Sequence, residues 1–175
     1  MPPLPNVAFA ALAAGVLAAS VVDIRSRRIP NALTATMAGV GIGLAAAGVS
    51  GVSLGASLAG FALGLVLMLP GHAIGATGAG DVKLMAAIGA IVGPALVVSS
   101  FLFTAVAGGV LAIAVAIRRQ RLGATLAGTG RLITAPSNAR EAIKESGRSN
   151  QFAYGPAIAV GSLLAAIGAG RVIGL

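Results

Sequence analysis

The stretch GAGDVKL, residues 78–84, puts an acid and a base at the start of an otherwise apolar segment. Ahead of it runs an apolar segment over about 54–74, and behind it a second over about 82–98, each long enough to cross most of a bilayer core. The glycine-rich stretch is therefore where the chain reaches one membrane face and turns back. Working outward, the only other aspartate, Asp23, stands just past the first apolar segment in DIRSRRIPN, residues 23–31, and the remaining acids are Glu141 and Glu145.

Composition makes bilayer the solvent. The chain is 57% hydrophobic and 9% charged, with 26 glycines in 175 residues, too apolar for a water-soluble domain of this size. Helices side by side in lipid have no reason to split into separate cores, so residues 1–175 read as a single domain. Cysteine is absent, which excludes disulfides, thiolate catalysis and cysteine-ligated zinc. The formal charge is +8, yet there is one tyrosine and no tryptophan to stack on bases, and the basic residues cluster between apolar segments; nucleic acid is not an expected partner, whereas membrane lipid is. No basic region precedes the first segment, so it reads as a retained helix rather than a cleaved signal.

The pattern predicts an all-α bundle of about six transmembrane helices, near 5–22, 31–47, 54–74, 82–98, 99–117 and 152–170. Asn31 reads as the N-cap of the second helix, and Pro94 falls near the far end of the fourth. With this layout eleven of the twelve Lys and Arg residues fall on one face, which the positive-inside rule makes cytoplasmic. The N- and C-termini are then extracytoplasmic, and a basic cytoplasmic loop joins helices five and six. Part of that loop, from about 134 or 136 to 146, reads as an interfacial helix at the headgroups. Glycines four apart, Gly39 with Gly43, Gly51 with Gly55 and Gly60 with Gly64, are expected to let helix backbones approach closely.

The topology sets Asp23 and Asp81 at similar depth on the cytoplasmic side. If helices one and four are neighbours, the carboxylates meet. Two aspartates sharing a proton are minimal machinery for peptide hydrolysis: one takes a proton from water, and the other donates a hydrogen bond to the scissile carbonyl. Their two titrations would belong to the pair. Gly78 and Gly80 leave room for an extended substrate backbone beside the acid. Plainer readings stand beside these. Asp81 also suits a helix cap, and Lys83 also suits snorkelling to headgroups. Asp23 opposes the dipole at a helix C-terminus, with a salt bridge to Arg25 or Arg27 as its plain explanation. A packing or interfacial role fits the lone His72, which by itself is no metal site. YGPAIAVG, residues 154–161, reads equally as a helix start with Pro156 in the first turn and as a lining of the site.

Together, DIRSRRIPN, GAGDVKL and YGPAIAVG resemble, in order and on one face, the type IV prepilin peptidases, aspartic proteases of the GxGD class in the bacterial inner membrane. The small size resembles the peptidases of tight-adherence (Flp) pilus systems. The resemblance implies Asp23 and Asp81 as the catalytic pair, and Lys83, Gly155 and Pro156 recur in its pattern without so clear a role; with Gly78, Gly80 and Tyr154 they are expected to bind substrate or support the site. It implies removal of a short basic leader from pilin and pseudopilin precursors at the cytoplasmic face, usually after glycine, with no cofactor or metal. Larger members carry a methyltransferase region with paired CxxC zinc motifs; a chain without cysteine is not expected to have it.

Three other readings stay open at the level of sequence. Another GxGD protease cutting within a transmembrane helix would want its first aspartate deeper in the hydrocarbon than Asp23. A small proton- or cation-coupled transporter would use Asp23 and Asp81 as ion sites, but no internal repeat is evident. A non-catalytic secretion-system assembly subunit would not need two acids at matching depth. Glu141 and Glu145 are better explained by pairing with Arg140, Lys144 or Arg148 than by docking a basic leader.

Overall fold

The computed structural model describes residues 4–75, 77–118 and 154–171, and all regular structure among them is helical. The elements are α1 (Asn6–Ser26), α2 (Asn31–Ala46), α3 (Leu54–Ala73), α4 (Ala79–Arg118) and α5 (Gly155–Arg171). Helices α1, α3 and α4 are long and apolar enough to cross a membrane, and α2 and α5 are shorter apolar helices. The protein is a helical membrane protein. The expected interfacial helix, Glu141, Glu145 and the basic loop between the last two helices lie outside the described residues.

Five helices are described where six were expected, because the boundary anticipated near Val98 is absent and α4 continues through it. The break falls earlier, at Gly93, whose φ of 79° and ψ of 177° leave the helical region. An unbroken helix of 40 residues would run about 60 Å, twice the hydrocarbon core. Gly93 tolerates the positive φ, and Pro94 follows where its missing N–H costs nothing. A Cβ at Gly93 would sit 3.3 Å from Val52 in the α2–α3 turn, whereas Gly108, further along, lies against Tyr154 at the opposite end of the bundle. The two arms of α4 therefore form a helical hairpin.

Two local boundaries also differ from expectation. The first helix runs on past Asp23 to Ser26 and ends where Arg27 turns left-handed (φ 53°), its N–H donating to the Asp23 carbonyl at 2.7 Å. Helix α2 is preceded by Pro30 as N-cap, so Asn31 is its first helical residue and its side chain is free for a partner elsewhere.

The first arm of α4 is the centre of the bundle. From Val82 to Val92 it is buried on almost every side, Lys83 being the exception, as an apolar surface all round the helix requires. Close packing comes from glycine. A side chain at Gly60 would strike the backbone of Gly89 and Gly93, and one at Gly64 the backbone of Met85 and Ala86, so α3 meets α4 backbone to backbone. Of the three expected pairs only this one packs so. Gly39, Gly43 and Gly55 face open space, and Gly51 lies in the α2–α3 turn with φ 71°. Gly41, which no pair singled out, is the α2 glycine against α4, at Ala90 and Ile91.

Candidate functional site

Asp23 is buried in the last turn of α1, where the dipole is unfavourable and its own helix offers no N–H. Its partner comes from the far end of the sequence. The Gly155 N–H donates to Asp23 Oδ2 at 2.8 Å. Gly155 opens α5, so this N–H is one that a helix start leaves without an internal partner, and the positive end of α5 faces the carboxylate. Neither Arg25 nor Arg27 supplies that partner; both side chains are exposed. Glycine is required at 155, since a Cβ there would come within 2.9 Å of both Cβ and Oδ2 of Asp23.

Asp81 is buried at the other helix start. The Gly78 carbonyl accepts from the N–H groups of Asp81 and Val82, at 3.1 and 3.3 Å, so Gly78 caps α4 and Asp81 is its third residue. Asp81 Oδ2 reaches back to accept the Gly78 N–H at 2.9 Å, the returning half of a capping box. The plain capping role read from sequence is thus present, from position 81 rather than from the cap itself. It occupies one carboxylate oxygen. Asp23 and Asp81 lie at the same end of the bundle: Gly155, beside Asp23, directly follows Tyr154, whose hydroxyl senses the Asp81 charge, and Ile29 of the α1–α2 turn packs on Gly80.

Tyr154 lies just before α5 and bridges this arrangement. Its carbonyl accepts from Ile158 N–H at 3.1 Å, which makes it the cap of α5, and Pro156 sits in the first turn. Burial pushes the Tyr154 hydroxyl above the ordinary phenol range, and the Asp81 carboxylate adds to the effect. The ring rests on Gly108 of the second arm of α4, where any side chain would overlap its hydroxyl end. Of the other expected site residues, Gly80 takes Ile29 against its backbone: a Cβ there would lie 3.1 Å from that of Ile29. Lys83 points away from the carboxylates and donates to Asn31 Oδ1 at 2.8 Å.

His72 is exposed, and its Nδ1 lies 3.0 Å from the Thr77 carbonyl. A carbonyl only accepts, so Nδ1 carries the proton and the ring ties the end of α3 across the loop to the residue before Gly78. No group of three His, Asp or Glu side chains among the described residues converges as a metal site would need. Sequence reasoning missed Asn31 as the partner of Lys83, Ile29 as the packing partner of Gly80, and Gly108 as the seat of Tyr154. Nothing in the pattern distinguishes Gly108 from the other helical glycines.

Each carboxylate therefore has one oxygen held by a backbone N–H at a helix start, with its second oxygen receiving no hydrogen bond among the described residues. Two carboxylates at one end of a bundle, each keeping an oxygen without a hydrogen bond, are the kind of groups that acid–base activation of a water employs. Neither the curated proteins nor the solved structures contain a match to this chain. The type IV leader peptidase family does match, over residues 10–113, a span that takes in both aspartates and ends before Tyr154. That span is more than half of the chain, and with two buried aspartates set at one end of a helical membrane bundle it places the protein in the type IV leader peptidase family.

Proposed function

We propose that the protein is a prepilin leader peptidase of the aspartic type, acting on type IV, Flp-like pilin and pseudopilin precursors at the cytoplasmic face of the bacterial inner membrane. The observation that carries this reading is that Asp23 and Asp81 are both buried at one end of the bundle, each anchored through one oxygen at a helix start. In the reaction one carboxylate takes a proton from water as it attacks the carbonyl of the leader's last residue. The other, protonated, donates a hydrogen bond to that carbonyl oxygen as it gains charge. Collapse of the tetrahedral intermediate breaks the C–N bond, and the amine of the mature pilin leaves with a proton returned through the pair. The anchoring N–H groups keep both carboxylates in place through the cycle.

The same reading takes the two arms of α4 as separate crossings, giving six, with the N- and C-termini extracytoplasmic. Gly78 and Ala79 are exposed beside Asp81, where an extended leader fits, while Gly80 is closed off by Ile29; a glycine at the cut keeps that approach narrow. No cofactor enters the chemistry.

The test is cleavage of an Flp-type precursor by purified protein in detergent with chelator present, comparing wild type with Asp23→Asn and Asp81→Asn. Each amide keeps the shape and removes the acid. Wild type is expected to trim the precursor, and both variants to lose at least about 10³-fold in rate while eluting as folded protein. Cleavage by either variant at the wild-type rate would rule out the two-aspartate mechanism.

A further inference from the structure

Asp23 and Asp81 belong to helices far apart in sequence, and their separation depends on how the start of α4 meets the α1–α2 turn. Two contacts at the first turn of α4 bear on that junction. Ile29, buried, packs on the Gly80 backbone, and Lys83 Nζ donates to Asn31 Oδ1 at 2.8 Å. They constrain different motions. Apolar packing fixes how near the segments come but lets the first turn of α4, beyond its clamp on α3, twist about the helix axis. A directed hydrogen bond on another face of α4 resists that rotation.

The spacing of Asp81 and Lys83 makes this effective. Two residues along a helix point about 200° apart, so a buried Asp81 puts Lys83 on the outer side, where it is exposed and meets Asn31 rather than the carboxylates. We infer that Lys83 is a positioning residue: through its hydrogen bond to Asn31 it sets the rotation of the first turn of α4, and so the distance from Asp81 to Asp23. Lys83 touches neither the water nor the scissile bond. A carboxylate about 6 Å from the helix axis moves about 1 Å for a rotation of about 10°, and a displacement of that size can cost about 10²-fold in rate. The inference rests on the peptidase reading for its consequence in catalysis, but its geometry stands apart from it.

The experiment has two arms. In the first, precursor cleavage is followed with Lys83→Met, Asn31→Leu, the double variant, Lys83→Arg and Asn31→Asp. Each of the first two is expected to lower kcat roughly tenfold with KM within about twofold, and the double variant to be no slower than the slower single. Lys83→Arg and Asn31→Asp keep a donor and an acceptor and retain most of the rate. Losses that multiply in the double variant, or that fall on KM, overturn the inference.

The second arm needs no substrate. The chain has no cysteine, so Ile29→Cys with Gly80→Cys provides a single cross-linkable pair at nearly disulfide spacing. Lys83→Met is expected to slow oxidative cross-linking several-fold, and Lys83→Arg to leave it unchanged. An unchanged rate in Lys83→Met overturns the inference even where wild type cleaves. A protein that cleaves no precursor yet shows the slowed cross-link loses the peptidase reading and keeps the Lys83–Asn31 coupling.

Discussion

A carboxylate in the last turn of an apolar helix is costly, and Asp23 is stable there only because α5 brings its first N–H and its positive end to it. Glycine at 155 makes the approach possible. Gly155→Ala is therefore expected to displace the Asp23 carboxylate and lower cleavage by about 10²-fold, whereas Pro156→Ala, which restores only a first-turn N–H, should cost under about tenfold; kcat on one precursor measures both. Tyr154 supplies a third group to the same space. Its hydroxyl stays protonated across the physiological range because burial and the Asp81 charge both oppose its ionisation. Tyr154→Phe removes a donor without changing the ring, and is expected to lower kcat by about tenfold with elution and melting unchanged; a rate equal to wild type would exclude the hydroxyl from the reaction. Asp23 and Asp81 were legible in the sequence because acids are scarce in so apolar a chain. Their anchors were not. A backbone N–H carries no residue identity, and the pairing of position 23 with position 155 depends on which helices are neighbours.

At the level of elements the backbone contact between α3 and α4 fixes how close and how deep the first arm of α4 sits, because that arm is clamped at Gly60, Gly64 and Gly89, one turn or more beyond Asp81. Without a hydrophobic driving force between helices in lipid, such close approach is what holds them together. Gly60→Val is expected to destabilise the protein by about 1–3 kcal/mol or more through overpacking, read as a lowered melting temperature in detergent. Gly39→Ala and Gly43→Ala, at helical positions facing open space, should leave it unchanged or raise it slightly. Spacing of glycines four apart is shared by all these sites, so periodicity alone found the right pair and two wrong ones. The discriminating fact is which face of each helix meets α4. The same limit explains the misplaced boundary in α4. No charged residue occurs between Leu84 and Ile117, and the turn is made by the backbone freedom of Gly93 followed by Pro94, a quieter signal than a charged loop.

For the whole molecule, the bundle has two unlike ends. One carries Pro5, the Val49–Val52 turn and Gly93; the other carries Asp23, Asn31, His72, Asp81 and Tyr154, together with Arg25, Arg27, Arg28 and Lys83. Which residues share an end is a matter of the fold, whereas the distribution of Lys and Arg gives only an expectation of which end faces the cytoplasm. The basic end is assigned to the cytoplasm under the proposed function, and that orientation is what lets a precursor with a basic leader meet the aspartates before export. A chain without cysteine allows a direct check, since each introduced thiol is alone. Val49 and Arg28 are both exposed and stand at opposite ends. Val49→Cys is expected to react with a membrane-impermeant maleimide added to intact spheroplasts, and Arg28→Cys only in inverted vesicles. Labelling of both from one side would mean that a helix does not cross, and the reverse pattern would put the aspartates outside the cell, where a cytoplasmic precursor could not reach them before export.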